Sequence, residues 1–320
     1  MPVDPVLAFY GDCAFYTALV LYLVAMVLQT VEYAAQRSAE PVGARAGDGG
    51  GVVTLTWPPG ESAPRSRAAR AGRVAVSLTV LGAAVHGVSL LLRGLAAGRV
   101  PWGNMYEFTS AVCFVAVVAW LVVLVRQRDI APALRELGGF VLLPVVILLT
   151  LAGTVLYAEA APLVPALNSY WIAIHVSAAS IASGMLLVAG VASALYLVRI
   201  RFEARQAGGS RFAGRLPGSA LLDRLAYRTT VVAFPIWTFM VITGAVWAEA
   251  AWGRYWGWDP KETVALVVWV VYACYLHARA TAGWRGARSA WINVLGFAAL
   301  LFNLFFINIV VAGLHSYAGL

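Results

Sequence analysis

A chain of 320 residues that is 61% hydrophobic and only 12% charged lies outside the range of soluble domains and inside that of membrane proteins. Its net charge of +8 is carried by arginines clustered between apolar runs, which marks membrane topology and not a nucleic-acid footprint. Cys13, Cys113 and Cys274 form no C-x-x-C pair, which excludes a dithiol oxidoreductase and leaves them as small core hydrophobes.

Eight apolar runs follow in order, at roughly 9–31, 74–95, 106–125, 138–157, 170–198, 229–247, 263–280 and 290–313. A hydrocarbon core takes about 20 helical residues. Backbone polar groups cannot go unpaired in lipid, so helices are expected, and a β-barrel would show short alternating segments instead. The fold expected is therefore an all-α polytopic integral membrane protein, one membrane domain over 1–320 with about eight transmembrane helices. The segments joining runs one to two, three to four, five to six and seven to eight hold 6, 3, 7 and 3 arginines. The opposite side holds Arg93, Arg99, Arg254 and Lys261, a split of 19 to 4 that places the first group in the cytoplasm and both termini outside. Nothing basic precedes Arg37, so no cleavable signal peptide is expected.

Residues 34–72, rich in Ala, Gly, Pro and Arg, read as a flexible cytoplasmic linker. Residues 199–228 read as a basic cytoplasmic loop. Within it "LPGSALLDRLAYR" is a candidate surface helix with Leu221, Leu222 and Leu225 on one face. No internal repeat points to an inverted-repeat transporter. The outer side is more specific. It carries "GRVPWGNMYEF", "EAAPLVPALNSYW", "GLHSYA" and, between the sixth and seventh runs, a tryptophan-rich segment over 248–262 that contains "WGRYWGWDPKE".

The four histidines all fall in membrane segments or at their outer edge. His175 lies five residues into the fifth run, about 7–8 Å below its outer end at ~1.5 Å per residue. His315 follows the eighth run on the same side. Neutral imidazoles from two helices can hold a six-coordinate haem iron; the alternative is two interfacial histidines bonded to backbone or water. His86 and His277 lie inside apolar helices, where an ionisable group is costly and suggests function. Their depths match poorly, so a shared haem, separate partners and a bonded core role for His86 all stay open, with a ligand role favoured for His277.

Trp252 and Trp256 stand four apart and would share a face on a helical turn, with Trp258 close behind. Indoles stack well on a flat macrocycle, and they also form ordinary interfacial belts. In "DPKE", Asp259 suits an N-cap, Pro260 the first helical position and Glu262 a capping box. Asn104 and Glu107 in "GNMYEF" repeat that design, so capping alone would account for all four.

"WGRYWGWDPKE", followed by "WVVYACYLHAR" and "GLHSYAGL", resembles the CcsA/ResC-type membrane proteins of system II cytochrome c biogenesis, a haem-handling group with a WWD segment. "HGVSLLLRGLAAGRVPWGNMYEF" is similar to an earlier segment of that family, so the likeness covers the second to eighth runs. The resemblance implies an external WWD segment that binds haem b between His175 and His315, with His277 as a ligand inside the membrane. It also implies a cytochrome c synthase (haem lyase) activity exerted with a ResB/CcsB-type partner on apocytochrome c. A thioredoxin-like thiol reductant is a further candidate partner, and the location implied is the bacterial cytoplasmic membrane, with the active face outside. No side chain presents itself as a general acid, so catalytic residues are unassigned. A haem b electron-transfer subunit using His86 and His277, or a haem exporter without ligation chemistry, are the rival functions.

Overall fold

The computed structural model describes residues 3–35, 63–127, 134–163, 167–205 and 213–315, and these are all-helical. Eight helices run in order: α1 (Pro5–Ala35), α2 (Ala63–Ala97), α3 (Met105–Arg126), α4 (Gly138–Thr154), α5 (Tyr170–Ala204), α6 (Ser219–Trp252), α7 (Pro260–Ala280) and α8 (Ala287–Val310). Among the described residues seven are long and apolar enough to cross a membrane; α4 is apolar but has 17 residues, three fewer than the run suggested. The chain is an integral membrane protein, as its composition requires. Large side chains such as Phe9, Ile147 and Leu295 stand exposed around the bundle, where lipid would cover them.

Several boundaries move outward from those expected. Residues 63–72, counted as linker, form the first turns of α2, while 36–62 lie outside the described residues. α5 extends to Ala204 and α6 begins at Ser219, so little of the 199–228 loop remains, and 206–212 of it are not described. Leu222 and Leu225, placed on a surface helix, are buried core residues of the first turns of α6. Cys113 is a core residue, but Cys13 and Cys274 face outward.

Helix association in lipid rests on close packing, since lipid is as apolar as leucine. α5 supplies it from the centre of the bundle with small residues on several sides, Ala178, Ala182, Ser183, Gly184, Ala189 and Gly190, packed between α3, α6 and α8. At Gly184 a Cβ would stand 2.7 Å from the Val112 carbonyl of α3, so the two backbones touch there. α1 and α2 form an antiparallel pair; the Ser89 hydroxyl donates to the Gly11 carbonyl at 2.8 Å, and the Asp4 amide to the Ala96 carbonyl at 3.0 Å. Up-and-down order brings the α2–α3, α4–α5 and α6–α7 connections and the end of α8 to one end of the bundle.

Candidate functional site

At that end α3, α5, α6, α7 and α8 surround a cavity that opens to the outside. His175, Trp252, Trp256 and His315 all line it. α6 stops at Trp252 because Gly253 adopts the left-handed conformation, φ +69°, and its amide returns to the Glu249 carbonyl. Trp252 and Trp256 therefore share no helical turn: the first ends α6 and the second sits in the following loop, yet both reach the cavity wall. Trp258 does not. It is 69% exposed, holds a positive φ of 59° and meets Trp256 edge-on at 5.8 Å.

Each cavity histidine is oriented by an acceptor behind it. His175 Nδ1 donates to the Met240 carbonyl of α6 at 2.9 Å. His315 Nδ1 donates to Asp259 Oδ1 at 2.8 Å. Carbonyls and carboxylates only accept, so in the neutral form of either ring Nδ1 carries the hydrogen and Nε2 the lone pair. Gly244 makes room for the first ring, since a Cβ there would fall 2.6 Å from His175 Cε1.

Asp259 does more than cap α7. The capping box is complete: the Lys261 amide donates to Oδ1 at 3.0 Å and the Asp259 amide to Glu262 at 3.2 Å. The same carboxylate also takes the Leu314 amide on Oδ2 at 2.7 Å, along with the His315 ring. "DPKE" and "GLHSY" thus meet as one clamp. Burial disfavours ionising Asp259, but the bonds from His315 and the Leu314 amide outweigh it and hold the carboxyl at about 2.

The residue that joins the two histidines is Trp247, 1% exposed and absent from the sequence reading. Its ring stacks on His175 at 5.9 Å and 15°, meets His315 edge-on at 5.6 Å and touches Trp252 at 4.7 Å. The signal lay in helical spacing: Gly244, Trp247 and Ala248 repeat on one face of α6 just before the tryptophan-rich segment. On α8, a π-turn at Phe302–Phe306 precedes Ile307–Val310. There Lys261 Nζ donates to the Asn303 carbonyl at 2.9 Å, and both residues line the cavity.

The opposite wall comes from "GRVPWGNMYEF". Asn104 caps α3, accepting the Glu107 amide at 2.9 Å. Glu107 is itself buried between Arg93 at 3.0 Å and Arg99 at 2.7 Å, and it accepts the Gly103 amide at 2.7 Å. Arg93 also pairs with Asp12 at 3.4 Å and donates to the Ala158 carbonyl. This cluster fixes the loop that delivers Trp102 to the cavity, where its indole donates to Ser177 at 3.1 Å.

His86 and His277 stand apart from this site and from each other. His86 is fully buried, bonded to Ser110 of α3 at 2.8 Å and Tyr22 of α1 at 3.4 Å, so a core role satisfies both its nitrogens. His277 is exposed on the outer surface of α7. The described residues hold no group of three His, Cys, Asp or Glu able to bind a bare metal ion. A porphyrin iron needs only axial ligands, and two acceptor Nε2 atoms beside an indole wall are a donor set that suits a haem.

Together the fold and this end cavity define a polytopic helical membrane protein that presents two oriented histidines and an aromatic wall at one end of its bundle. The cytochrome c assembly protein family matches residues 102–315, which hold the whole cavity, and the chain belongs to that family. A cytochrome c biogenesis protein CcsA of Synechococcus sp. (strain CC9902) is 38% identical over 253 residues, covering 71% of this chain and 81% of that protein. The CcsA of Chlamydomonas reinhardtii is 35% identical over 232 residues, covering 71% and 64%. A solved cytochrome c haem lyase, CcmF, superposes with a TM-score of 0.60 at 15% identity over 95% of this chain and 47% of that one. The chain thus spans about half that lyase's length, and the likeness is one of fold.

Proposed function

We propose that this protein acts in cytochrome c maturation as the haem-handling subunit of a cytochrome c synthase, holding haem b in the end cavity for attachment to apocytochrome c. Membership of the assembly family supports the maturation role, as do relatives named as biogenesis proteins. The observation that carries the haem assignment is the pair of cavity histidines, each held by a rear acceptor in the tautomer that leaves Nε2 to ligate. His175 and His315 would hold the haem iron, Trp247, Trp252 and Trp256 would line the macrocycle, and exposed Trp258, edge-on to Trp256, would meet the client.

The client's C-x-x-C-H segment brings two thiols to the haem vinyl groups. Each S–H adds across a C=C bond, sulfur to one carbon and hydrogen to the other, with no net oxidation. The protein's part is orientation and exclusion of water, which replace a bimolecular encounter by a held geometry. A ResB/CcsB-type protein is the partner, and a thioredoxin-like reductant keeps the client thiols reduced. Exposed His277 is left to ligate a second haem at the partner interface within the membrane. This reading sets the cavity on the outer face of the bacterial cytoplasmic membrane, and the arginine distribution supports that sidedness. The electron-transfer rival needs His86 and His277 on facing helices, and His86 is instead enclosed by Tyr22, Ser110 and Phe114 of α1 and α3.

The test is the absorption spectrum and haem content of the purified protein, with and without its partner. His175→Ala and His315→Ala should each remove the bis-histidine signature and stop c-type cytochrome maturation. Variants with an unchanged spectrum and unchanged maturation would end the assignment.

A further inference from the structure

We propose that Lys261, with Asn303 beside it, forms a carboxylate-binding corner of the cavity that anchors a propionate of haem. The inference rests on the haem reading above and names which part of the ligand lies where. Lys261 is the only lysine in the chain, and it lines the same cavity as the two histidines. Its ammonium donates to the Asn303 carbonyl at 2.9 Å, which uses one of three N–H donors. Among the described residues it forms no ion pair.

The neighbouring carboxylates are engaged elsewhere. Asp259 accepts from His315 and from the Leu314 and Lys261 amides. Glu262 pairs with Arg254 at 3.4 Å and accepts the Gly257 and Asp259 amides. A buried ammonium without a paired carboxylate is costly.

A second observation points at the same corner. Asn303 is 3% exposed and its Oδ1 has no hydrogen-bond partner; the buried Ser183 hydroxyl also has none, and both residues line the cavity. Buried polar atoms in folded proteins are nearly always bonded, so orphans of this kind mark a place where something polar belongs. The unpartnered Asn303 Oδ1 is an acceptor, so this amide meets a carboxylate when a half-turn presents its NH₂ instead. An ammonium with two spare N–H donors, beside an amide able to present its NH₂, matches a carboxylate carried on an apolar body. Haem is such a molecule: its macrocycle meets the indoles while a propionate meets the ammonium in a charge-assisted bond.

The experiment titrates haem, and haem dimethyl ester, into purified haem-free protein, reading the bis-histidine absorption band. Wild type should bind haem roughly 10- to 100-fold tighter than the ester, the range for a hydrogen bond between charged groups. Lys261→Met should bind both alike, at the wild-type affinity for the ester, and Lys261→Arg should keep the preference. Asn303→Asp supplies an internal carboxylate to the ammonium and should abolish the preference with the lysine in place, so the test survives a Lys261→Met chain that does not fold. Each variant should retain the bis-histidine band. Equal binding of haem and ester by wild type, or a Lys261→Met chain that still prefers haem, overturns the proposal. A wild-type chain that gives no bis-histidine band with either compound overturns the haem reading itself.

Discussion

Replacing Asp259 by Asn isolates the clamp from the cap. In the wild type Oδ1 accepts the Lys261 amide and the His315 ring, and Oδ2 accepts the Leu314 amide. Asn is as good an N-cap as Asp, so α7 should still start at Pro260. Its single oxygen can serve either the Lys261–His315 side or the Leu314 side, and its NH₂ must then oppose an N–H on the other. One bond is lost and the others fall from about 1.5–3 kcal/mol to about 1 kcal/mol each as the charge disappears. Leaving the Lys261 cap aside, the loss at Leu314 and the weakening at His315 together weaken the clamp by roughly 2–5 kcal/mol. Partners behind a ligating histidine typically govern affinity by about 10- to 100-fold, and that loss is expected in the haem titration of Asp259→Asn. Far-UV circular dichroism should stay at wild-type helicity. A variant that binds haem as tightly as wild type would refute the orienting role of Asp259 and weaken the case for His315 as a ligand. Because the folded carboxyl sits at about 2, below its ordinary 3.8, its stabilising contribution is complete above about pH 4 and is lost only as the pH falls through 2. The clamp is ionised throughout the range of any practical assay.

Gly244→Ala should raise intrinsic helix propensity by about 1 kcal/mol, yet its Cβ would meet the His175 ring at 2.6 Å; a melting temperature held or raised together with a lost bis-histidine band is the outcome to look for. Trp247→Ala should cost about 3–5 kcal/mol in thermal unfolding and remove haem, because the indole is buried between both histidines. Trp258→Ala should change stability by less than about 0.5 kcal/mol, given its exposure, while lowering the yield of matured cytochrome if clients dock at the mouth. Glu107→Gln leaves Arg93 and Arg99 without their shared carboxylate and should lower stability by about 3–5 kcal/mol in a detergent melt; a variant within 1 kcal/mol of wild type would show that water already reaches the cluster.

The helices were legible because lipid leaves the backbone one economical way to pair its polar groups, and eight apolar runs follow directly. Their ends were not. The first turns of α2 and α6 are polar and basic, and nothing local separates a solvated loop from a helix continuing past the membrane; Leu222 and Leu225 are core residues only because α5 packs against α6. At the site, His175, His315, Trp252 and Trp256 carried enough chemistry in their identity and spacing to be found. Trp247 read as the last residue of an apolar run, since its role depends on which face of α6 meets α5 and the end of α8. Lys261 was hidden inside a capping pattern that explains its neighbours without it. For Asp259 the choice between cap and site was a false one: its two oxygens have room for both, which appears only when the chain end returns to it.

The π-turn in α8 sets the phase of everything after it. The Ile307 amide reaches back five residues to the Phe302 carbonyl, the mark of one residue inserted into an otherwise regular helix. Deleting a single residue between 302 and 306 would restore the regular repeat and rotate the remainder of the chain by about 100°. Asn308 would leave the Met105 sulfur, and Gly313–His315 would swing away from Asp259. A one-residue deletion that leaves the helix more regular than before would therefore dismantle the site, so insertions and deletions in this turn should be far less tolerated than substitutions of the residues within it.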